Sequence, residues 1–306
     1  MTTATAPVPA PGRATLYWRA MRARYVPTSV VPAAAGGLVA IGTPGAQWWL
    51  LPVALLSLAL VHGATNVVND VEDFANGVDG PDKMDNSRVF NTGLLSLREG
   101  RLLGLATFAA AAALGLVIVA AQGPWILAYG VPGLLAGYLY TAGPRPYKYV
   151  GIADPLLVLV LGPLLTQGAY TAVTGDPFDP AAFWVGLMPG LLVTAVVQGN
   201  NASDIDSDAA AGVRTLAVRT GPRGARALYA ASLVLGYLAL PALVATGLFG
   251  PAVLLPLLTL PMAAGPLRDA MRGDAAALAT LAPRTARLHL AASALLVLGV
   301  VVDRVT

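Results

Sequence analysis

The chain has 306 residues, of which 56% are hydrophobic and 11% are charged, and its mean hydropathy of +0.67 excludes an ordinary soluble domain. It contains no cysteine, which excludes disulfide frameworks, thiolate metal sites and cysteine nucleophiles. The net charge of +3 requires no nucleic-acid partner, because the basic residues cluster on one side of the apolar segments, as in membrane proteins.

The sequence predicts an all-α integral membrane protein. Residues 1–20 are expected to form a disordered tail, because MTTATAPVPAPG lacks the apolar core of a signal peptide. Residues 21–306 are expected to form a single transmembrane domain. Apolar runs long enough to cross a bilayer predict a bundle of about nine helices, near residues 25–43, 47–69, 102–121, 124–141, 150–173, 181–199, 226–247, 251–265 and 285–302. The eighth run is short and contains proline, so eight spans is the alternative count.

The distribution of charge predicts the topology. With nine spans, 18 of the 19 Lys and Arg residues fall on one side, and Arg304 is the exception. Basic loops stay in the cytoplasm, so we expect a multi-pass cell-membrane protein with a cytoplasmic N-terminus. Two long loops, 71–101 and 200–225, lie on that same side and are rich in Asp, Asn, Gly and Arg. The active site is therefore predicted on the cytoplasmic side, at two Asp-rich helix ends.

The first acidic motif is NVVNDVEDFANGVD, residues 66–79, at the end of the second span. Asn66, Asn69, Asp70 and Asp73 are spaced at i, i+3, i+4 and i+7, which places them on one face if the helix continues. Asp79 follows a glycine at which the helix is expected to end. An intramembrane helix therefore ends in a polar stripe.

The second acidic motif is NNASDIDSD, residues 200–208, after the sixth span. Asn200, Asp204 and Asp208 recur every four residues and share a face, and Asn201 flanks them. Carboxylates clustered at a membrane surface are costly unless cations neutralise them. Oxygen ligands without cysteine favour a hard ion that retains some water, so Mg²⁺ is the predicted ion.

Basic residues near the two motifs predict a phosphate-containing substrate. Arg and Lys are the usual donors to phosphate oxygens. A diphosphate held by Mg²⁺ and cations is a good leaving group, and a hydrocarbon attached to it would lie in the lipid bilayer. These demands predict a prenyl diphosphate as substrate. The predicted diphosphate-binding residues are Lys83, Arg88, Arg145, Lys148 and Arg214.

Several residues have two readings. Asp154, just inside the fifth span, either packs against Lys148 or holds an acceptor hydroxyl. Tyrosines near it form either an interfacial belt or the walls that shelter a carbocation. His62 and His289 are expected to be hydrogen-bonded core histidines. The predicted residues lining the acceptor or the cation are Asn66, Tyr140, Tyr147, Asp154 and Asn200.

The motifs resemble those of a known family. NVVNDVEDFANGVD resembles the NDxxDxxxGxD form of the first Asp-rich motif of the UbiA superfamily of intramembrane prenyltransferases, and NNASDIDSDAAAGVRTLAVRTG is similar to its second motif. YTAGPRPYKYVGIAD resembles a segment of the menaquinone-biosynthesis (MenA-like) branch. The resemblance implies a UbiA-like bundle and two Mg²⁺ ions that bridge Asp73 and Asp79 of the first motif and Asp204 and Asp208 of the second, assisted by Asn69 and Asn201.

Asp70 joins these predicted metal ligands, and the predicted catalytic residues are Asn69, Asp73, Asp204 and Asp208. Three positions depart from the branch pattern: Val213 replaces a lysine, Ser203 an arginine and Asp154 a glutamate. The first hypothesis is a Mg²⁺-dependent prenyltransferase that acts on a small aromatic acceptor such as 1,4-dihydroxy-2-naphthoate. The alternative within the superfamily is a membrane terpene cyclase that needs no acceptor. A transporter that uses the acids as an ion site is the alternative from another class.

Overall fold

A computed structural model describes residues 11–80 and 87–306, which form helices and turns with no β-strand among them. The first half contains α1 (Arg13–Ala20), α2 (Pro27–Leu38), α3 (Leu50–Ala75), α4 (Leu97–Gln122), α5 (Leu127–Leu139), α6 (Ala153–Val160) and α7 (Pro163–Thr174). The second half contains α8 (Pro180–Trp184), α9 (Leu187–Ser203), α10 (Ile205–Ala210), α11 (Leu216–Ala245), α12 (Leu260–Arg272), α13 (Ala275–Leu278) and α14 (Leu281–Val305). Short 3₁₀ helices cover Ala23–Tyr25, Pro124–Ile126 and Pro251–Thr259.

All nine predicted spans coincide with helical segments. Among the described residues, seven segments are long and apolar enough to cross a membrane: Leu50–Ala75, Leu97–Gln122, Ala153–Thr174, Pro180–Ser203, Leu216–Ala245, Pro251–Arg272 and Ala275–Val305. The other two, α2 and the segment Pro124–Leu139, are shorter. The chain is an all-helical, multi-pass membrane protein, and nine is an approximate count of its spans.

The predicted tail of residues 1–20 differs from the structure in its second half. Residues 13–20 form α1, and Leu16 and Ala20 are buried against α3 and the segment that precedes α4. Apolar residues at i and i+4 provide the packing face that the proline-rich composition obscured. The remainder of the predicted tail, residues 1–10, lies outside the described residues.

The main core joins α2, α7, α9, α11 and α14, and small residues allow these helices to approach closely. A β-carbon at Gly36 of α2 would lie 2.2 Å from the carbonyl oxygen of Thr166 in α7. Small residues are the usual means of close packing between membrane helices, where lipid and protein are equally apolar. Gly36 therefore sets the separation of α2 from α7.

Proline within α2 explains the environment of His289. Pro32 has no N–H, so the carbonyl of Thr28, four residues earlier, lacks its helical donor. His289 of α14 is fully buried, and its Nε2 lies 2.7 Å from that carbonyl oxygen. A carbonyl only accepts, so Nε2 donates and carries the ring proton. The expectation of a hydrogen-bonded core histidine is confirmed here, and the contact attaches α2 to α14.

Candidate active site

The two acidic motifs line one chamber of about 940 Å³ inside the helical bundle. α3 stays helical to Ala75, as the spacing of the first motif predicts. The motif residues that line the chamber are Asn66, Asn69, Asp73, Asp79, Asn200, Asn201, Asp204 and Asp208. Two stretches more than a hundred residues apart in sequence thus contribute carboxylates and amides to a single cavity.

Asp73 has three hydrogen-bond partners among the described residues. Its side chain is buried, and Asn69 Nδ2 donates to Oδ2 over 2.7 Å. Lys148 Nζ contacts the same oxygen at 2.6 Å, and the hydroxyl of Tyr149 donates to Oδ1 over 2.6 Å. Beyond α3 the chain turns through Gly77, whose φ of +73° is the left-handed conformation that glycine adopts readily. This turn brings buried Asp79 to the chamber as well.

The segment between α5 and α6 supplies the cation and the aromatic rings of the site. Burial lowers the pKa of Lys148, but the carboxylate of Asp73 more than compensates, so the pKa lies above its ordinary value and the ammonium stays charged. Burial, followed by the charge of Asp73, raises the pKa of Tyr149, so this phenol stays a donor. Tyr140 and Tyr147 pack edge to face with ring centroids 5.3 Å apart, and both line the chamber.

The second motif spans a break between two helices. α9 ends at Ser203, and Asp204 has φ −103° and ψ 8° before α10 begins. The backbone bonds from Asp204 N to Asn200 O and from Asp208 N to Asp204 O, at 3.1 Å and 2.8 Å, preserve the helical four-residue spacing. The three side chains therefore keep the common face that the sequence predicts, and Asp208 is buried.

Asp70 occupies a different position from the predicted one. It is buried, outside the chamber lining, and its carboxylate contacts the guanidinium of Arg22 through Oδ1. The backbone N–H of Ser87 donates to Oδ2 over 2.9 Å. Asp70 thus joins α3 to the segment after α1 and to the start of the chain that leads to α4. We correct its predicted role from metal ligand to structural anchor.

Asp154 also differs from both of its predicted roles. Lys148 pairs with Asp73 instead, and Asp154 lies outside the lining of the main chamber. Its Oδ2 accepts a bond of 2.8 Å from Gln198 Nε2 of α9, and both side chains are buried. Neither side chain belongs to the chamber lining. The bond attaches α6 to α9 one turn before Asn201.

Lys148 is the one predicted phosphate-binding residue that lines the chamber in the described part of the chain. Arg145 and Arg214 are exposed, and Arg88 is not part of the lining. The backbone N–H of Arg214 donates to Tyr149 O over 3.1 Å and so joins the second motif to the segment that carries Lys148. The fifth predicted residue, Lys83, lies outside the described residues.

Three functional positions are absent from the predicted site. Tyr149 lies in the tyrosine cluster that the sequence shows, but its bond to Asp73 depends on a chain reversal that spacing does not reveal. Arg22 and Arg24 also line the chamber. In the sequence they are two of the basic residues before the first span, and no spacing links them to the acidic motifs.

The site has the donor chemistry of a hard divalent cation. Within residues 11–80 and 87–306, no group of three or more His, Cys, Asp or Glu side chains is already gathered around a metal position. The carboxylates of the two motifs instead face a shared cavity. Mg²⁺ typically takes one or two carboxylates and completes its shell with water and phosphate oxygens. The oxygen-only set of Asp73, Asp79, Asp204 and Asp208 fits that pattern.

The rest of the chamber wall is apolar. Leucine, valine and alanine side chains of α4, α5, α7 and α9 extend the cavity away from the acids, among them Leu116, Leu134, Leu164 and Val197. A wall of this kind suits a hydrocarbon chain, because burial of apolar surface is favourable by about 25 cal/mol per Å². The chamber therefore has an ionic end and a hydrophobic body.

Comparison with known proteins agrees with this geometry. Residues 29–282 match the UbiA prenyltransferase family. The chain is 33% identical over 263 residues to a 1,4-dihydroxy-2-naphthoate octaprenyltransferase of Mycobacterium tuberculosis, covering 82% of this chain and 86% of that protein. It is 32% identical over 279 residues to the enzyme of the same name from Escherichia coli, covering 86% and 89%.

A solved structure shares the fold. The UbiA homologue of Archaeoglobus fulgidus, bound to GPP and Mg²⁺, superposes with a TM-score of 0.59 at 19% identity. The superposition covers 92% of this chain and 99% of that one. The arrangement of helices around the chamber is therefore common to both.

Proposed function

Because the chain belongs to the UbiA prenyltransferase family, we propose that it transfers a prenyl group from a prenyl diphosphate to 1,4-dihydroxy-2-naphthoate or a similar aromatic acceptor. The observation that carries this proposal is the chamber in which both acidic motifs meet half-buried Lys148 and a long apolar wall. The names of the relatives support the acceptor. They also favour transfer over cyclisation, so the terpene cyclase is not carried forward.

The acids and the cation have separate tasks in this proposal. Asp73, Asp79, Asp204 and Asp208 would hold Mg²⁺, two ions by the resemblance of the motifs, and Asn69 and Asn201 would assist them. Bound Mg²⁺ supplies Lewis-acid stabilisation of the negative charge that forms on the departing diphosphate. The ammonium of Lys148, held charged in the chamber, meets the same oxygens. Arg22 and Arg24 add to the positive potential at the mouth.

The reaction then follows from charge. The C–O bond of the prenyl diphosphate breaks, both electrons leave with the diphosphate, and an allylic cation remains. The faces of the Tyr140 and Tyr147 rings carry negative charge density and would stabilise this cation, and the rings would exclude water from it. A carbon of the electron-rich acceptor ring attacks the cation to form the new C–C bond. Loss of a proton from the ring restores its aromaticity.

The orientation in the membrane follows from the basic residues. Those near the two motifs lie in the loops between spans, and cytoplasmic loops carry the excess of Lys and Arg. We therefore place the chamber mouth and the N-terminus on the cytoplasmic side of the cell membrane, with the prenyl chain among lipid-facing helices. We also propose that residues 21–306 form a single transmembrane domain.

The test is to incubate purified protein and Mg²⁺ with prenyl diphosphates of several lengths, with and without 1,4-dihydroxy-2-naphthoate. Mass spectrometry of the organic extract identifies the product. A prenylated naphthoate that requires Mg²⁺ supports the proposal. A cyclic hydrocarbon formed without acceptor, or an unchanged diphosphate under all conditions, contradicts it.

A further inference from the structure

His62 lies in the wall of the chamber, and no role in the proposed reaction has been given to it so far. It precedes Asn66 by four residues and Asn69 by seven on α3, and all three residues line the cavity. At a rise of 1.5 Å per residue, His62 lies about 10 Å along the helix axis from Asn69. It is therefore above the acidic end and beside the volume where an acceptor ring would meet the prenyl cation.

One nitrogen of His62 is held by α2. Nδ1 lies 2.7 Å from Oγ of Ser29, a buried side chain. Among the described residues Ser29 Oγ has no other hydrogen-bond partner, and we assign its proton to the bond with Nδ1. A neutral imidazole that accepts at Nδ1 carries its proton at Nε2. Ser29 thus selects the tautomer that donates from Nε2.

The other nitrogen faces the cavity. Nε2 bonds to no part of the chain that the structure describes, and it does not belong to the buried unpartnered atoms. Since His62 lines the chamber, this N–H is accessible from inside it. A fixed, unused donor on the wall of a binding cavity is a recognition element for an oxygen of a ligand.

The chamber has a polar wall and an apolar wall, and each suits a different substrate. The wall formed by α2 and the middle of α3 carries Thr28, Ser29, His62 and Asn66, whereas the α4, α5 and α7 walls are apolar. Asn66 donates Nδ2 to Met21 O over 3.2 Å, and this bond holds its side chain in place. A hydrocarbon chain gains nothing from the polar wall. An aromatic acceptor with ring oxygens matches it.

We propose that His62 is the acceptor-binding residue whose Nε2–H donates a hydrogen bond to a ring oxygen of the aromatic acceptor. The inference rests on the proposed function, because it presumes a hydroxylated aromatic acceptor. The bond orients the acceptor ring toward the prenyl cation. Ser29 acts through His62 and is a positioning residue.

Two substitutions distinguish the roles of the two ring nitrogens of His62. His62→Asn places its amide where Nδ1 lies, so it can keep the bond to Ser29 but loses the donor in the chamber. His62→Gln places an N–H near the position of Nε2 and keeps that donor. Thr65→Val is the matched control, since the Thr65 hydroxyl lines the same wall but already donates to Val61 O over 2.9 Å.

The experiment measures binding and turnover in the full-length protein. Fluorescence titration gives the Kd of 1,4-dihydroxy-2-naphthoate in the presence of Mg²⁺ and geranyl thiolodiphosphate, an analogue that resists ionisation. We expect His62→Asn to raise this Kd about tenfold or more, because the substitution removes a hydrogen bond to a charged or polarised oxygen. We expect His62→Gln and Thr65→Val to stay within about threefold, and the Kd of the diphosphate analogue to stay unchanged in all variants.

Acceptor analogues identify which oxygen of the naphthoate accepts the hydrogen bond from His62. Naphthoates that lack either the 1-hydroxyl or the 4-hydroxyl are titrated in the same assay. One of them should bind the unsubstituted protein about tenfold more weakly, and His62→Asn should remove that difference. Equal naphthoate affinity in the unsubstituted, Asn and Gln proteins overturns the role of His62 while leaving the transferase intact. Naphthoate that binds but is never prenylated overturns the proposed function, and an unsubstituted protein that binds no naphthoate overturns both.

Discussion

Replacement of Gly36 by alanine tests how packing determines the acceptor side of the chamber. The new β-carbon would lie 2.2 Å from Thr166 O, 2.5 Å from Thr166 Cα and 2.6 Å from Thr166 C. All three are backbone atoms, so no side-chain rotation relieves the overlap, and α2 must move from α7 by roughly 1 Å. Overpacking of this kind costs about 3 kcal/mol, and the higher helix propensity of alanine offsets up to about 1 kcal/mol. The net loss of stability is therefore about 2 kcal/mol.

The displacement also reaches the site. Ser29, two turns earlier on α2, is 2.7 Å from His62 Nδ1, and a shift of roughly 1 Å breaks this bond. We expect Gly36→Ala to lower the thermal midpoint by several degrees in detergent and to raise the KM for the acceptor more than the KM for the prenyl diphosphate. The matched control is Gly236→Ala in α11, whose β-carbon would meet Leu192 at an ordinary 3.4 Å. The reasoning is refuted if Gly36→Ala is no less stable than Gly236→Ala.

Three further predictions follow from single contacts. Asp73→Ala and Asp204→Ala should each abolish prenyl transfer with little loss of expression, as measured by product formation and membrane yield, because each removes a proposed ligand for Mg²⁺. Asp70→Ala should lower the stability of the metal-free protein by about 3 kcal/mol or more without changing the KM for Mg²⁺, since it removes the ion pair between buried Asp70 and Arg22. Asp303→Ala should cost about 1–2 kcal/mol in thermal unfolding and leave activity unchanged, because Asp303 caps the 3₁₀ helix Pro251–Thr259.

Each of these has an outcome that would contradict it. Substantial turnover by either acid variant of the two motifs would show that the metals are misplaced. A raised KM for Mg²⁺ in Asp70→Ala would return Asp70 to the metal ligands. The two backbone N–H groups that Asp303 accepts, from Ala252 and Val253 at 3.0 Å and 2.9 Å, lie far from the acids in sequence. A loss of activity in that variant at temperatures where it stays folded would contradict its purely structural role.

The first motif shows how far a helical pattern carries prediction. With Asn66 at 0° on the helical wheel, His62, Asn69 and Asp73 lie at about −40°, −60° and −20°, and Asp70 lies at about +40°. The residues at negative angles line the chamber, and Asp70 turns toward Arg22. The polar stripe was predictable from the helical period alone. The separation of Asp70 from the chamber-lining residues was not predictable, because Arg22 lies 48 residues earlier and its approach is set by the packing of α1.

The same wheel contains a signal that the sequence reading did not use. His62 falls inside the arc of the chamber-lining residues, which favours a site residue over a core histidine. His289, by contrast, is bonded to a carbonyl that Pro32 leaves without a helical donor, a pairing that no spacing shows. Asp154 is an acid inside a predicted span, which favours a functional role. Its carboxylate instead accepts a hydrogen bond from Gln198 of α9. Residue type limits the roles that a side chain can have, and its tertiary contacts determine which role it has.

The contacts of Asp73 explain how this carboxylate is stabilised inside the chamber. A buried carboxylate is costly without partners, and Asp73 has an ammonium, a phenol and an amide around it from Lys148, Tyr149 and Asn69. A Mg²⁺–diphosphate complex brings a cation for Asp73 and anionic oxygens for Lys148 at the same time. We therefore expect Lys148 to exchange Asp73 for the diphosphate on binding, so that the charges stay paired in both states. Neither ion alone completes this exchange, since Mg²⁺ would leave the ammonium of Lys148 without an anion and diphosphate would leave Asp73 without a cation.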